Sequence, residues 1–313
     1  MSDFLESINH LLGISDVQFV ALITALAFLI TWPIGRLVAR RYPFEKLEIS
    51  GEGIGSYCNV VGILYAIVMG YVLVNVYESY SAAEMAVETE SALLIDILRD
   101  AEGLPFKDGV ALRMATLRYI ESVTQKEWPH MVEYANTHPE TFERFSDLYH
   151  IMRRMKCETE EQRIFMSEIL SRLNDLSTTR HQRLMASGAR VPNMLWGMLI
   201  SVGLVTFNLC FFFPVHNERM RVYFLCCTAS VMTFTTMLIY VMDRPYSGTI
   251  GIQPDSIIGI VDTIKTKGVE NLFQSNVLDP ESKKEIEKFK DVMESIAPGR
   301  TNRPKIMPLP FRK

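Results

Sequence analysis

The chain has 313 residues, 48% of them hydrophobic, and a net charge of −4, which leaves room for one or two domains. Its five cysteines have neither a disulfide pattern nor metal-ligand spacing with histidine. A phosphate-cradling glycine loop, an HExxH helix, a CxxC pair and a nucleophile elbow are also missing, so no enzyme activity, cofactor, metal site or nucleic-acid partner is expected.

The apolar residues concentrate in four blocks, Val17–Ile34, Tyr57–Val76, Met194–Phe213 and Val222–Met242. Each has 18 to 21 residues and no Asp, Glu, Lys or Arg, the length needed to cross a hydrocarbon core of about 30 Å. The blocks predict four transmembrane helices in two hairpins. Met1–Asp16 carries Asp3, Glu6 and Asp16 and no Lys or Arg, so the first block is not expected to be a cleaved signal peptide.

Arg36, Arg40, Arg41 and Lys46 follow the first span, and Arg219 and Arg221 lie in the short loop before the fourth. Arg180, Arg183, Arg190 and Arg244 stand near the other span ends. The positive-inside rule then places the short loops in the cytoplasm of a bacterial inner membrane, with both termini and the large intervening domain outside. Trp32, Tyr57 and Tyr223 mark one interface and Tyr77, Trp196 and Tyr240 the other.

In the second span Cys58, Gly62, Ala66 and Gly70 recur every four residues, a small-residue ridge on which another helix backbone can pack closely. The span is expected to run without a break into a charged helix ending near Ala101. There Ala83, Val87, Leu94, Ile97 and Ala101 make a buried stripe that Glu90 interrupts. Glu78, Glu84, Glu88, Asp96, Asp100 and Glu102, against Arg99 alone, read either as a solvated face or as an acidic ring at a pore mouth. With Asn59 and Asn75, the residues Gly62, Ala66, Gly70 and Glu78 are the candidates for pore lining or helix contact.

Residues 77–191 read as four helices. The second runs from about Asp108 to Trp128 and is expected to stop at Pro129. The third runs from Pro139 to about Lys156, and the fourth from an N-cap at Thr159 to about Ala186. On the fourth, Arg180 interrupts the apolar residues Met166, Ile169, Leu173, Leu176 and Leu184. Glu90 lies thirteen residues beyond Tyr77 and Arg180 fourteen before Met194, so both stand at about the same height, roughly 20 Å at 1.5 Å per residue. A buried charge needs a partner, and the counting predicts a Glu90–Arg180 ion pair; the alternatives are that one or both reach solvent at the domain edge, or that Glu90 pairs with Arg113 or Arg183.

In the fourth span Thr233, Thr236, Tyr240 and Asp243 follow Ala229 along one polar stripe. It reads as helix packing or as the wall of a water-filled path. Asn75 and Asn208 are expected to join helices by hydrogen bonds. A helix over about Pro254–Lys265 and a highly charged, solvated one from Pro280 to about Ala297 follow, and then a basic tail, Gly299–Lys313. The expected divisions are a segment 1–16, hairpin 17–76, helical domain 77–191, hairpin 192–243, helical extension 244–298 and tail 299–313. The fold class is an all-α integral membrane protein with an inserted four-helix soluble domain.

The order and spacing of certain residues are similar to those of a known family. They are Asn59, Gly62, Tyr65-Ala66, Gly70, Tyr77, Tyr80, Ala83, Val87 and Glu90, then Arg113, Tyr119, Glu127-Trp128-Pro129 and Met131. Arg172-Leu173-Asn174-Asp175-Leu176, Arg180, Arg183, Pro192, Trp196, Asp243-Arg244-Pro245-Tyr246-Ser247-Gly248 and Pro254 complete the set. Over about Gly35–Asp262 the chain resembles the bestrophin-like membrane domain family, with Tyr77 and Tyr246 where that family usually has Trp and Phe. The resemblance implies a homo-oligomeric channel for inorganic ions, the second span forming its neck. It also implies cytoplasmic soluble helices, the reverse of the orientation drawn from charge. The alternative reading is a non-conducting membrane sensor or assembly module whose helical domain binds a partner.

Overall fold

The computed structural model describes residues 15–41, 51–211, 217–248, 250–267 and 280–296. The segment before Ser15, the loop bearing Pro43 and Lys46, and the basic tail lie outside the described residues. Among the described residues all regular structure is helical. In chain order the helices are α1 (Asp16–Arg41), α2 (Gly51–Asp100), α3 (Phe106–Ser122), α4 (Trp128–Tyr134), α5 (Pro139–Arg154), α6 (Glu160–Gly188), α7 (Asn193–Cys210), α8 (Glu218–Met242), α9 (Asp255–Lys267) and α10 (Pro280–Ile296). A 3₁₀ turn, Ala101–Gly103, follows α2, and a π turn, Val123–Glu127, joins α3 to α4.

Local chemistry sets these boundaries. At the start of α6 the Thr159 hydroxyl accepts from the Gln162 amide at 3.2 Å, and the Gln162 side chain accepts from the Thr159 amide at 3.3 Å. This reciprocal pair satisfies two amides that the first turn leaves open. The Asn217 side chain accepts from the Arg219 amide and so caps α8. Pro129 does not stop the chain as expected. It sits in the first turn of α4, directly after a turn so wide that the Trp128 amide bonds Val123 O. A proline in an unbroken α-helix lacks its amide and meets the carbonyl four residues back. The π turn moves that carbonyl aside, and the chain stays helical until Ala135, at φ 52.

The chain divides into two compact units, Met1–Ala82 with Ala189–Ile252, and Ala83–Gly188 with Gln253–Lys313. In the first, α1 finds its main partner in α8 rather than in α2, its neighbour in the hairpin. α1 lies antiparallel along α8, where Val222 and Leu225 pack at Gly35 and the Cys226 thiol points to Phe28 O at 3.7 Å. α2 reaches α7 through side chains, Tyr65 packing at Gly203 and the Cys58 thiol donating to Leu209 O at 3.5 Å. Phe19, Met69, Val72, Val76, Trp196, Leu199, Met237, Ile239 and Tyr240 close the core of this unit.

In the second unit α6 runs antiparallel to the C-terminal half of α2. Arg172 pairs with Asp96 and Asp100, and Gly103 lies so close under the Phe165 ring that a Cβ would overlap it. α3 packs on α5 through Tyr119 and Phe145, whose ring centres are 5.6 Å apart. α9 and α10 fall in this unit. Ile257, Ile260 and Val261 of α9 and Met293 and Ile296 of α10 are buried, so the charged helix α10 is solvated on one side only.

After α8 the turn Asp243–Gly248 is fastened to the start of α1. Asp16 accepts from the Ile250 amide at 3.3 Å, and its carboxylate occupies the space that a Cβ on Gly248 would need. Gly248 has φ +79, a region costly for any residue with a Cβ. We expect Gly248→Ala to destabilise the protein by more than about 1 kcal/mol in detergent unfolding. Part of the loss should be relieved in Gly248→Ala/Asp16→Ala; a melting temperature unchanged by Gly248→Ala would refute this account.

Candidate functional site

Two features set this chain apart from an ordinary helical bundle. One is the open face of α2. The other is a group of ionised side chains with no access to water.

Toward α7 and the first unit's core, α2 presents Cys58, Tyr65, Met69, Val72 and Val76. Its opposite side is uncovered among the described residues. Asn59, Ile63, Ala66, Val74, Tyr77 and Glu78 are exposed, and nothing lies within 4 Å of a Cβ built at Gly62 or Gly70. Among the described residues the small-residue ridge meets another helix of its own protomer at Cys58, while Gly62, Ala66 and Gly70 stand open. Among the described residues Asn75 and Asn208 bond within their own helices. Each donates back to its own helix, to Tyr71 O at 2.8 Å and to Leu204 O at 3.0 Å.

The acids of α2 separate into two groups. Asp96 and Asp100 turn to Arg172 and Arg99, and Glu90 is fully buried. Glu78, Glu84 and Glu88 are exposed. In α8 the polar stripe is drawn into packing. The Thr236 hydroxyl donates to Met232 O at 2.8 Å, and Tyr240 packs on Phe19 and under the Arg244 guanidinium. Thr233 is half-buried. Asp243 accepts from the Val191 amide at 2.5 Å, and burial pushes its carboxyl above the usual range despite that bond and the nearby Arg190 and Arg244.

The charge cluster lies inside the second unit. Glu90 and Arg180 both belong to it, but not as a pair. Glu90 Oε2 receives Arg183 Nε at 2.6 Å, and its Oε1 receives the Tyr119 hydroxyl at 2.7 Å and Arg183 Nη2 at 3.3 Å. Arg180 donates instead to Glu127 Oε2 at 2.5 Å and to the Thr137 hydroxyl. Thr137 passes a hydrogen bond on to Glu127 at 2.8 Å, and Arg183 Nη2 bridges to Glu127 Oε1 at 2.7 Å. The guanidiniums also lie 5.4 Å from the ring centres of Phe145 (Arg180) and Trp128 (Arg183). The reason for the exchange is angular. Three residues along α6 turn the side chain by about 60°, enough to give Arg183 the α2 side and Arg180 the π turn.

Glu127 entered the sequence reading only through its place beside Trp128-Pro129. The signal that points to it is charge balance, since two arginines on one helix face opposite one glutamate leave a positive charge uncancelled. With Glu127 the cluster is neutral. Burial pushes its carboxyl up, but the guanidiniums of Arg183 and Arg180 outweigh burial and hold it below the usual carboxylate range. Burial lowers Arg183, and Glu90 and Glu127 reverse that and raise it well above an ordinary guanidinium. Tyr119 is raised well above an ordinary phenol, by burial first and then by Glu90, so it acts as a hydrogen-bond donor.

Removing one member of a buried pair typically costs about 3–5 kcal/mol. Glu90→Ala and Arg183→Ala should each lose about that much in chemical unfolding, and the double variant should lose clearly less than their sum. Glu90→Ala and Arg180→Ala should couple more weakly than Glu90→Ala and Arg183→Ala. Linkage gives the pH sense. A lowered carboxylate contributes stability above its unfolded pKa, and this is lost as pH falls through the folded value. Glu127 therefore makes the unit acid-labile below the usual carboxylate range, and Glu127→Gln should flatten that limb. The raised Arg183 is protonated in both states at ordinary pH and adds no slope there. Additive losses for Glu90 and Arg183 would contradict the assignment.

A family model described as the bestrophin-like domain matches residues 21–257. Among solved structures the fold is similar to a crystal structure of a bacterial bestrophin homolog from Klebsiella pneumoniae carrying a tryptophan-to-alanine substitution. The TM-score is 0.61 and the identity 13%, over 84% of this chain and 99% of that one. At that identity the likeness concerns the fold. No curated protein matches. With four helices long and apolar enough to cross a bilayer, the chain is a multi-pass membrane protein. The matched residues take in the second, third and fourth spans and every residue of the charge cluster, and the chain belongs to the bestrophin-like family.

Proposed function

We propose that this protein is a homo-oligomeric ion channel in which the second span of each copy stands near the axis. The observation that carries the proposal is the open side of α2. A helix that buries one face in its own chain and leaves Asn59, Ala66 and Gly70 uncovered offers close contact to a second copy. Beyond the span, Glu78, Glu84 and Glu88 are exposed on the same helix, and rings of carboxylates at a pore mouth favour cations. Asp96 and Asp100 drop out of that role, being paired with arginine.

Ala66→Leu and Gly62→Leu meet no neighbour within the chain, so they should leave the protomer folded while weakening assembly in detergent. In planar bilayers with asymmetric salt, the wild type should show unitary currents with a reversal potential on the cation side. Glu84→Gln/Glu88→Gln should move it toward the anion side. Absence of unitary currents from intact oligomers would replace the channel with a non-conducting membrane module.

For orientation, the proposal follows the charges. Arg36, Arg41, Arg219 and Arg221 flank the short loops. Of the basic residues on the opposite side, Arg180 and Arg183 are buried in ion pairs and cannot act as interfacial charges. In a background without native cysteines, an impermeant thiol reagent on intact cells should label Asn9→Cys and spare Arg41→Cys. The reverse pattern would place the helical unit in the cytoplasm, as the family resemblance implies.

A further inference from the structure

The helical unit contains a cavity of about 480 Å³ bounded by α3, α5 and α10. Its apolar wall comes from Val110, Met114 and Ile151. Arg118, Arg144, Arg154 and Lys288 also line it, and Asp147 is the one carboxylate among its lining residues. Arg144 is engaged, 3.6 Å from Glu140 and 3.9 Å from Asp147. Among the described residues Arg118, Arg154 and Lys288 have no carboxylate within ion-pair distance.

Three cations brought to one hollow from three separate helices repel one another, and the single lining carboxylate, Asp147, sits at ion-pair distance from Arg144 and does not relieve that repulsion. A bound polyanion would. The guanidinium fork matches phosphate oxygens in shape as well as charge, while the aliphatic wall is of no use to a bare ion. The volume falls in the usual range for small-molecule sites. Lys288 stands on α10, outside residues 21–257, so the cavity is completed by a helix beyond the family domain.

We propose that this cavity binds a small organic phosphate of two or more negative charges. Its phosphates lie against Arg118, Arg154 and Lys288, and its apolar body lies against Val110, Met114 and Ile151. The same chemistry is found in a soluble metabolite and in a phospholipid headgroup with the start of its chains.

Isothermal titration calorimetry on the full-length protein in detergent at low ionic strength tests this, with three probes: inorganic pyrophosphate, ADP and dihexanoyl phosphatidic acid. At least one organic probe should bind saturably and more tightly than pyrophosphate. The tighter of ADP and the phosphatidic acid identifies the source as soluble or lipid. Arg118→Gln, Arg154→Gln and Lys288→Gln should each weaken binding roughly fivefold, and Asp147→Asn should strengthen it. These side chains are exposed, so melting temperatures should hold, and Arg153→Gln, on the same helix but outside the cavity, should change nothing. No saturable binding by any probe would overturn the proposal. So would pyrophosphate binding as tightly as both organic probes, or affinities unmoved by Arg118→Gln and Asp147→Asn.

Discussion

Ionised groups cut off from water have to cancel one another, and the helical unit is arranged so that they do. The penalty for burying an ion is several kcal/mol even after relaxation, more than a buried leucine returns at about 1.5–3 kcal/mol. The cluster meets that demand by drawing one contribution from nearly every element around it. Glu90 comes from α2, Tyr119 from α3, Glu127 from the π turn, Met131 from α4, Thr137 from the loop before α5, and Arg180 and Arg183 from α6. Leu94, Ile97, Leu173 and Leu176 tolerate small slides of α6 along α2, because apolar contact has no preferred partner. A bridging guanidinium does not tolerate them, and the cluster thus fixes the register that the leucines leave loose.

The same helix that supplies Glu90 gives the chain its outward face. α2 carries buried and paired acids on the side toward α6, and exposed ones, Glu84 and Glu88, on the side left open. Composition alone makes this one acidic stretch. The partners divide it into a structural half and a half available to solvent, ions or another subunit.

Much of this was legible in the sequence, and the failures are instructive. Long uncharged blocks have few physical alternatives, so the spans and the unbroken α2 follow from length and hydropathy. The charges that interrupt the stripes of α2 and α6 are both buried, Glu90 against Arg183 and Arg180 against Glu127. Pairing is a different matter. It depends on rotation about a helix axis, and Arg180 and Arg183 are too close in sequence for counting to tell them apart. Glu127 escapes because Pro129 reads as a stop, which hides the fact that the chain continues inward. Many residues that carry the family resemblance, Glu90, Tyr119, Glu127, Met131, Arg180 and Arg183 among them, converge on this one place.

The π turn has a consequence for how this chain tolerates change in length. A wide turn is one residue more than an α-helix needs, so Val123–Glu127 is a single-residue insertion accommodated without leaving the helix. Deleting one residue there would close the turn into regular α-helix and bring the carbonyl four residues back against the Pro129 ring. The helix would kink two residues from Glu127, although no residue of the cluster had been altered. The neutrality of the buried charges therefore rests on a count of backbone atoms as well as on which side chains are present.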